Sequence, residues 1–226
     1  MKLMGHRGAR DKAPENTLRS FDFLIRSGLQ VIEFDIHSCK SGDWVVHHDD
    51  SLDRTTNSSG NIAEKNWDEL NLVRTKEGDP LPRLQDVLEL VKNHNIEHQV
   101  ELKNHGDFKN LKTYFDNFEH NELITVISFN HRWLLEFKEI CPYIKTTCLL
   151  FALPIDPVNI IKSCRADGIS VSVAYIDQKL VEECHEQKYS VTAWNANDQK
   201  TCLKMKKLNI DYLGTDVPYL ARNWIH

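Results

Sequence analysis

Short apolar runs, each followed by an amphipathic stretch, divide this chain almost from end to end. The runs at 2–6, 30–37, 98–103, 124–128, 145–151, 168–173, 190–195 and 211–215 have the length and content of buried strands. Helical spacing of apolar residues fills the intervals near 15–27, 84–94, 107–119, 130–140, 156–164, 177–187 and 197–207, with a short stretch at 217–225. Repetition of this kind builds a parallel sheet covered by helices. Periodicity alone admits either a closed (β/α)8 barrel or an open doubly wound sheet. At 226 residues and 41% hydrophobic, the chain has the length and the apolar material for one such domain.

The second run, QVIEFDIH, carries an anomaly. Side chains alternate along a strand, so Glu33 and Asp35 face the same way, about 6.6 Å apart. Their neighbours Val31, Ile32, Phe34 and Ile36 are apolar. Two like charges on one buried face are costly unless a positive group lies between them, and a divalent cation with oxygen ligands meets that need.

The net charge of 28 − 33 = −5 argues against a nucleic-acid-binding surface. The densest basic run, KTCLKMKK at 200–207, reads as a solvated helix face. Six cysteines without a CxxC pair argue against a zinc site and against a disulfide framework. No apolar run approaches the ~20 residues of a membrane span, so stable membrane insertion is not expected. MKLMGHRG enters the first motif with no room for a signal peptide, which points to a cytoplasmic protein with reduced thiols.

HRG, then PENT at 14–17, SF, IEFD at 32–35 and HHDDSLDRTT at 47–56 form one ordered series. VELK at 100–103, ISF at 127–129, Trp194–Asn197 and IDYLGTDVP at 210–218 extend it along the whole chain. This series resembles the glycerophosphodiester phosphodiesterase family, of the bacterial cytoplasmic type. Cys39 and Ser41 stand where that family usually has Thr and Asp. Arg83 and Gln85 stand where it has Thr and Glu. Neither departure removes a residue that carries chemistry. The resemblance implies the (β/α)8 TIM barrel rather than the open sheet. It also explains residues 38 to 83, too long for an ordinary strand–helix loop, as a single barrel domain with a small insertion after the second strand, approximately residues 49–82.

In a parallel barrel the active site lies at the carboxyl ends of the strands. His6 and Arg7 end the first predicted strand, Glu33 and Asp35 lie late in the second, and Glu101 and Lys103 end the third. Trp194 ends the seventh and Asp216 follows the eighth. All of these residues should meet at one mouth. Glu33, Asp35 and Glu101 are then the candidate metal ligands, and hard carboxylate oxygens select calcium or magnesium, with manganese also admissible. The implied substrate is a small glycerophosphodiester. Three carboxylates, a divalent cation and one phosphodiester leave a charge of −2, which Arg7 and Lys103 neutralise.

Hydrolysis of a phosphodiester needs one proton removed and one delivered, and His6 and His48 are the candidate acid–base pair. In the family a neighbouring glycerol hydroxyl is thought to attack first, giving a cyclic phosphate that water opens. The family's His-Asp pairing selects His48 over His47, whose side chain should face the opposite way in an extended segment and pack or lie at the surface. Glu15 and Asn16 read either as first-turn helix residues behind Pro14 or, from the resemblance, as groups facing the substrate. Phe129 and Trp194 are candidate pocket walls. Asp49, Arg54 and Asp216 are expected to hold loops; His37 is grouped with the surface or structural histidines, although its odd number could place it on the face of Glu33 and Asp35. Histidines 94, 98, 105, 120, 131, 185 and 226 fall in no constellation. The implied products are glycerol 3-phosphate and an alcohol. The alternatives are a lysophospholipase D, which an exposed apolar groove at the barrel mouth would favour, and a non-catalytic phosphodiester-binding barrel.

Overall fold

The computed structural model describes residues 1–225; His226 lies outside them. The strands are β1 (Lys2–Gly5), β2 (Val31–Ser38), β3 (Trp44–Val46), β4 (Glu97–Leu102), β5 (Ile124–Ser128), β6 (Lys145–Leu150), β7 (Gly168–Ser172), β8 (Ser190–Trp194) and β9 (Tyr212–Thr215). The helices are α1 (Leu18–Arg26), α2 (Trp67–Leu70), α3 (Leu84–Val91), α4 (Phe108–Asp116), α5 (His131–Ile140), α6 (Pro157–Ser163), α7 (Gln178–Glu186), α8 (Gln199–Lys207) and α9 (Pro218–Ile225).

β1 pairs in parallel with both β2 and β9, and the remaining parallel strands pair in sequence between them. The sheet therefore closes on itself: the chain is a (β/α)8 TIM barrel, and the open sheet is excluded. β3 adds on antiparallel to the end of β2, with Ile36 opposite Val46 and Ser38 opposite Trp44. This short return brings the segment that follows it back beside the acidic strand, and His47 N–H donates to the Asp35 carbonyl at 3.1 Å.

Strand alternation sorts the side chains. Ile32, Phe34, Ile36, Val100, Leu102 and Val126 pack outward against Phe21, Leu24, Leu84, Val87, Phe108 and Phe115 of the helices. Full burial of each such side chain contributes ~1.5–3 kcal/mol. The inward set is polar for a core: Glu33, Asp35, Gln99, Glu101, Thr147, Ser170 and Thr192 are all buried. The lumen is thus built as a site at one end and is not packed with branched apolar side chains throughout.

Side-chain caps start the helices at the carboxyl end of the barrel. Thr17, Asp107, Asn130, Asp156, Asp177 and Asp198 each accept from a backbone N–H of the first turn. Each cap is worth ~1 kcal/mol and fixes where its loop ends. The first helix departs from the sequence reading, because it begins at Leu18 and the N-cap is Thr17. Glu15 and Asn16 therefore precede the helix, and Asn16 takes a left-handed backbone with φ 55°.

Between β3 and α3 the chain wraps its own small apolar cluster of Leu52, Ile62, Leu70, Val73 and Leu81, seated on Cys39 and Val45. All six cysteines are buried and free. Among the described residues no helix is long and apolar enough to cross a membrane.

Candidate active site

The turn after β1 sets the geometry. Arg7 and Gly8 both have positive φ, 57° and 87°. A side chain on Gly8 would run into Ser20 and Phe21 of α1, so only glycine closes this turn against the helix. The turn aims Arg7 into the barrel twice. Its backbone N–H donates to Glu33 Oε2 at 2.8 Å, and its guanidinium reaches Glu15 Oε1 at 3.0 Å and Asp35 Oδ2 at 3.5 Å.

Register does the same for the carboxylates. Asp35 lies directly opposite Glu101 across the β2–β4 ladder, with Glu33 two residues earlier on the same face. One oxygen from each of the three lies within 4.8 Å of the others. Asn16 clamps Asp35 from behind: its Nδ2 donates to Asp35 Oδ2 at 2.8 Å, and its Oδ1 accepts from the Asp35 N–H at 3.3 Å. Lys103 Nζ donates to Glu101 Oε1 at 2.9 Å and lies 3.7 Å from Asp35 Oδ1.

Three carboxylates against Arg7 and Lys103 leave one unbalanced negative charge in a buried place. Burial, with Asp35 and Glu101 close by, pushes the Glu33 carboxyl well above its ordinary range. Burial and Asp35 push Glu101 up to about 7. Asp35 stays below its ordinary value, because Lys103, Arg7, His48 and Asn16 together outweigh the effect of its burial. Its Oδ1 is buried and accepts no hydrogen bond among the described residues. An orphaned carboxylate oxygen flanked by two more is a donor set that fits a hard divalent cation. Glu33, Asp35 and Glu101 could hold one.

Two histidines face this cluster, each anchored through Nδ1 to a carboxylate. His6 Nδ1–H donates to Asp216 Oδ1 at 2.6 Å, with the Asn195 amide 3.0 Å from the same nitrogen. His48 Nδ1–H donates to Asp49 Oδ1 at 2.6 Å. His48 titrates below its ordinary range because of burial, which Asp35 and Asp49 offset only in part, so the ring is neutral near pH 7. His37 Nε2–H donates to the His48 carbonyl at 3.1 Å and fixes that residue's backbone. His47 points the other way, with Nε2 on the Ser51 carbonyl at 3.2 Å and the ring buried.

Asp49, Arg54 and Asp216 stay out of the cavity lining, and their supporting contacts are specific: Asp49 and Asp216 anchor the two histidines, and Arg54 belongs to a chain of ion pairs between them. Asp216 Oδ1 meets Arg10 NH1 at 2.5 Å, and Arg10 NH2 meets Glu15 Oε2 at 3.0 Å. Glu15 Oε1 meets Arg54 NH2 at 2.6 Å, and Arg54 Nε meets Asp49 Oδ2 at 2.5 Å. Glu15 is thus held by Arg7, Arg10 and Arg54. Neither Glu15 nor Asn16 lines the cavity, because both are spent on positioning other side chains. The Asp in HHDD and the Asp ending IDYLGTD gave a signal for the dyads. Arg10 and Asn195 gave none.

A cavity of about 130 Å³ opens among these groups. His6, Arg7, Glu33, His48, Glu101 and Lys103 line one side; Phe129, Leu149, Trp194 and Asn195 line the other. A larger hollow of about 560 Å³ lies between α3 and α4, remote from any of this chemistry. His105, His131 and His185 are satisfied by Glu136, the Leu149 carbonyl and Asp211.

Residues 6–220 match the glycerophosphoryl diester phosphodiesterase family. The chain belongs to this family. It is accordingly an enzyme, a phosphodiester hydrolase. A glycerophosphodiester phosphodiesterase of Bacillus altitudinis is 29% identical over 237 residues, spanning 96% of this chain and 95% of its own. Its counterpart in Caldanaerobacter subterraneus subsp. tengcongensis is 27% identical over 239 residues, spanning 99% and 97%. In fold, the chain resembles a phosphodiesterase of Oleispira antarctica solved with the product sn-glycerol-3-phosphate. That pair has a TM-score of 0.92 at 24% identity and spans 100% of this chain and 96% of the other.

Proposed function

We propose that this family member hydrolyses glycerophosphodiesters to glycerol 3-phosphate and an alcohol, with a divalent cation at Glu33, Asp35 and Glu101 and proton transfer at His6 and His48. One observation carries the reading. A buried carboxylate cluster with excess negative charge faces two carboxylate-anchored imidazoles across a single small cavity. A barrel that only bound phosphodiesters would have no need of two oriented proton carriers.

Arg7 and Lys103 supply the phosphate contacts. Arg7 Nε, 3.5 Å from Asp35 Oδ2, has no hydrogen-bond partner among the described residues, and Lys103 spends one N–H on Glu101. Bound to the three carboxylates, magnesium, calcium or manganese would polarise the phosphoryl oxygens and favour ionisation of the attacking hydroxyl. With Nδ1 tied to Asp216 or Asp49, each histidine keeps Nε2 for exchange with substrate. One ring takes the proton of the attacking hydroxyl while the other protonates the departing alkoxide. Their roles reverse when water opens the resulting cyclic phosphate.

The test is a panel of glycerophosphodiesters assayed with EDTA, then with magnesium, calcium or manganese restored. Chelation is expected to abolish turnover and one of the three ions to restore it. Full activity in EDTA would remove the cation from the mechanism, and hydrolysis of no panel member would remove the mechanism itself.

Glu15 provides a second check. Glu15→Ala is expected to lower kcat about 10–100-fold, the usual effect of losing a group that orients a reacting one. KM should change less, because Glu15 lines no part of the cavity. An unchanged kcat with an intact circular dichroism spectrum would show that the chain of ion pairs is ornamental.

A further inference from the structure

Polarity in the lumen does not stop at the carboxylate cluster. A second pocket, of about 340 Å³, opens at the other end of the barrel, where the strands begin. Gln99, Thr125, Lys145, Thr147, Lys188 and Ser190 line it, and it shares no lining residue with the candidate active site. A barrel interior is ordinarily filled by branched apolar side chains, and its amino end serves stability. Here that end offers hydroxyls, an amide and two ammonium groups around a cavity.

Strand register gathers these groups. Gln99 lies opposite Thr125 across β4 and β5, and Thr125 lies opposite Lys145 across β5 and β6. Gly168 of β7 stands between Thr147 and Ser190, and a Cβ there would strike Ser190. Gln99 and Thr147 are buried, and Gln99 Oε1 has no hydrogen-bond partner among the described residues. A buried amide left alone is costly, and by turning over it can offer either an acceptor or a donor at the same place.

The charges are as uneven as the hydrogen bonds. Lys145 begins β6 and Lys188 comes just before β8, with Asp167 between them at the start of β7. Asp167 is already engaged: its Oδ2 accepts from Lys138 Nζ at 2.7 Å and from the Thr146 N–H at 2.8 Å. Tyr212 O–H donates to Glu97 Oε2 at 2.8 Å, and Glu97 also pairs with Lys2. Asp167 and Glu97 thus have lysines of their own, while Lys145 and Lys188 have no carboxylate partner among the described residues. Two such cations at one pocket, in a chain of net charge −5, fit a dianion.

We propose that this pocket binds the phosphate monoester of a small polyol, with the phosphate on Lys145 and Lys188 and the hydroxyls on Gln99, Thr147 and Ser190. A phosphate monoester carries about two negative charges at pH 7, which matches the lysines. A bare phosphate or sulfate would satisfy the exposed lysines and leave the buried amide and hydroxyl without partners. The volume corresponds to roughly ten waters of liquid, and so to a ligand of on the order of ten non-hydrogen atoms. The ligand chemistry is independent of the reaction assigned to the other end of the barrel.

Glycerol 3-phosphate is a probe of this size, and EDTA keeps the two ends apart. Without metal, the carboxylate cluster holds an excess negative charge that repels a dianion. Calorimetry in EDTA at low ionic strength is expected to show saturable binding of glycerol 3-phosphate, with a matching rise in Tm. Lys145→Glu combined with Lys188→Glu should weaken that binding at least about tenfold. Both lysines are exposed, so the double variant should fold, and its turnover of glycerophosphocholine with metal restored should stay within about twofold. Thr147→Val should cost about threefold to tenfold in affinity. Inorganic phosphate and sulfate should each bind at least about tenfold more weakly than glycerol 3-phosphate. Neither heat nor a Tm shift with glycerol 3-phosphate overturns the assignment. Binding that survives the double charge reversal places the ligand elsewhere and also overturns it. So does equal affinity for inorganic phosphate, sulfate and glycerol 3-phosphate, which would leave a patch that reads charge alone.

Discussion

Replacing His6 or His48 by alanine is expected to lower turnover of glycerophosphocholine about 10²–10⁴-fold while fold and metal affinity survive. Both rings face the cavity and neither belongs to the carboxylate cluster. Each variant breaks one proton-transfer cycle, so the double variant should be little worse than either single one. Asp216→Asn and Asp49→Asn should follow the same trend more weakly, because an amide can hold the ring in the wrong tautomer. His47→Gln is the control. Its ring is buried against the Ser51 carbonyl, so the change should cost about 1–3 kcal/mol of stability and little turnover. Steady-state kinetics beside thermal melts separates the two. Collapse of turnover in His47→Gln with normal rates in His48→Ala would mean that the wrong imidazole faces the substrate.

Much of this was legible because period and residue type carry it. Each parallel strand of the barrel coincides with an apolar run, since strands buried on both faces cannot hide in the pattern. Glu33, Asp35 and Glu101 could be read as a cluster because strand period two and parallel register are geometric rules, and Asp35 does lie opposite Glu101. What escaped depends on contacts between segments distant in sequence. The pairing of His6 with Asp216 joins residues 210 apart in sequence and exists only because β1 closes against β9. Glu15 looked like a substrate contact, because nothing local announces that Arg10 and Arg54 converge on it. The left-handed turn at Asn16 was likewise invisible. Proline at 14 followed by two polar residues reads as a helix start until Thr17 is seen to cap and Asn16 to turn back onto Asp35.

The carboxylate cluster yields the other large effect, and bound metal opposes it. Asp35→Asn, Glu33→Gln and Glu101→Gln should each weaken divalent binding by about 10²–10³-fold, the loss expected when one partner is removed from a buried set of charges. Calorimetry on each variant decides which side chains are ligands, and unchanged affinity would strike that residue from the set. Without metal the same substitutions should stabilise. Glu101 titrates at about 7 in the fold against an ordinary 4.5. Between those values the folded chain keeps a proton that the unfolded chain has lost, so this group lowers stability as pH rises through the window and adds no further loss above it. His37, held down to about 4, acts oppositely over part of the same range, since the unfolded chain takes up its proton first. Asp35 is lowered and loses its stabilising effect only in more acid solution. The raw pH profile therefore mixes signs, but the difference between wild type and Glu101→Gln isolates the carboxylate. In EDTA that difference should be near zero at the acid end of the window and reach about 3 kcal/mol in favour of the variant above it. Magnesium or calcium at about 100 times the wild-type Kd adds about 2.7 kcal/mol to the wild type and little to the variant, so most of the variant's advantage is cancelled. Melting curves that keep wild type above Glu101→Gln in EDTA at every pH would mean that the cluster carries no stored repulsion. It would then not be a site built around a missing positive charge.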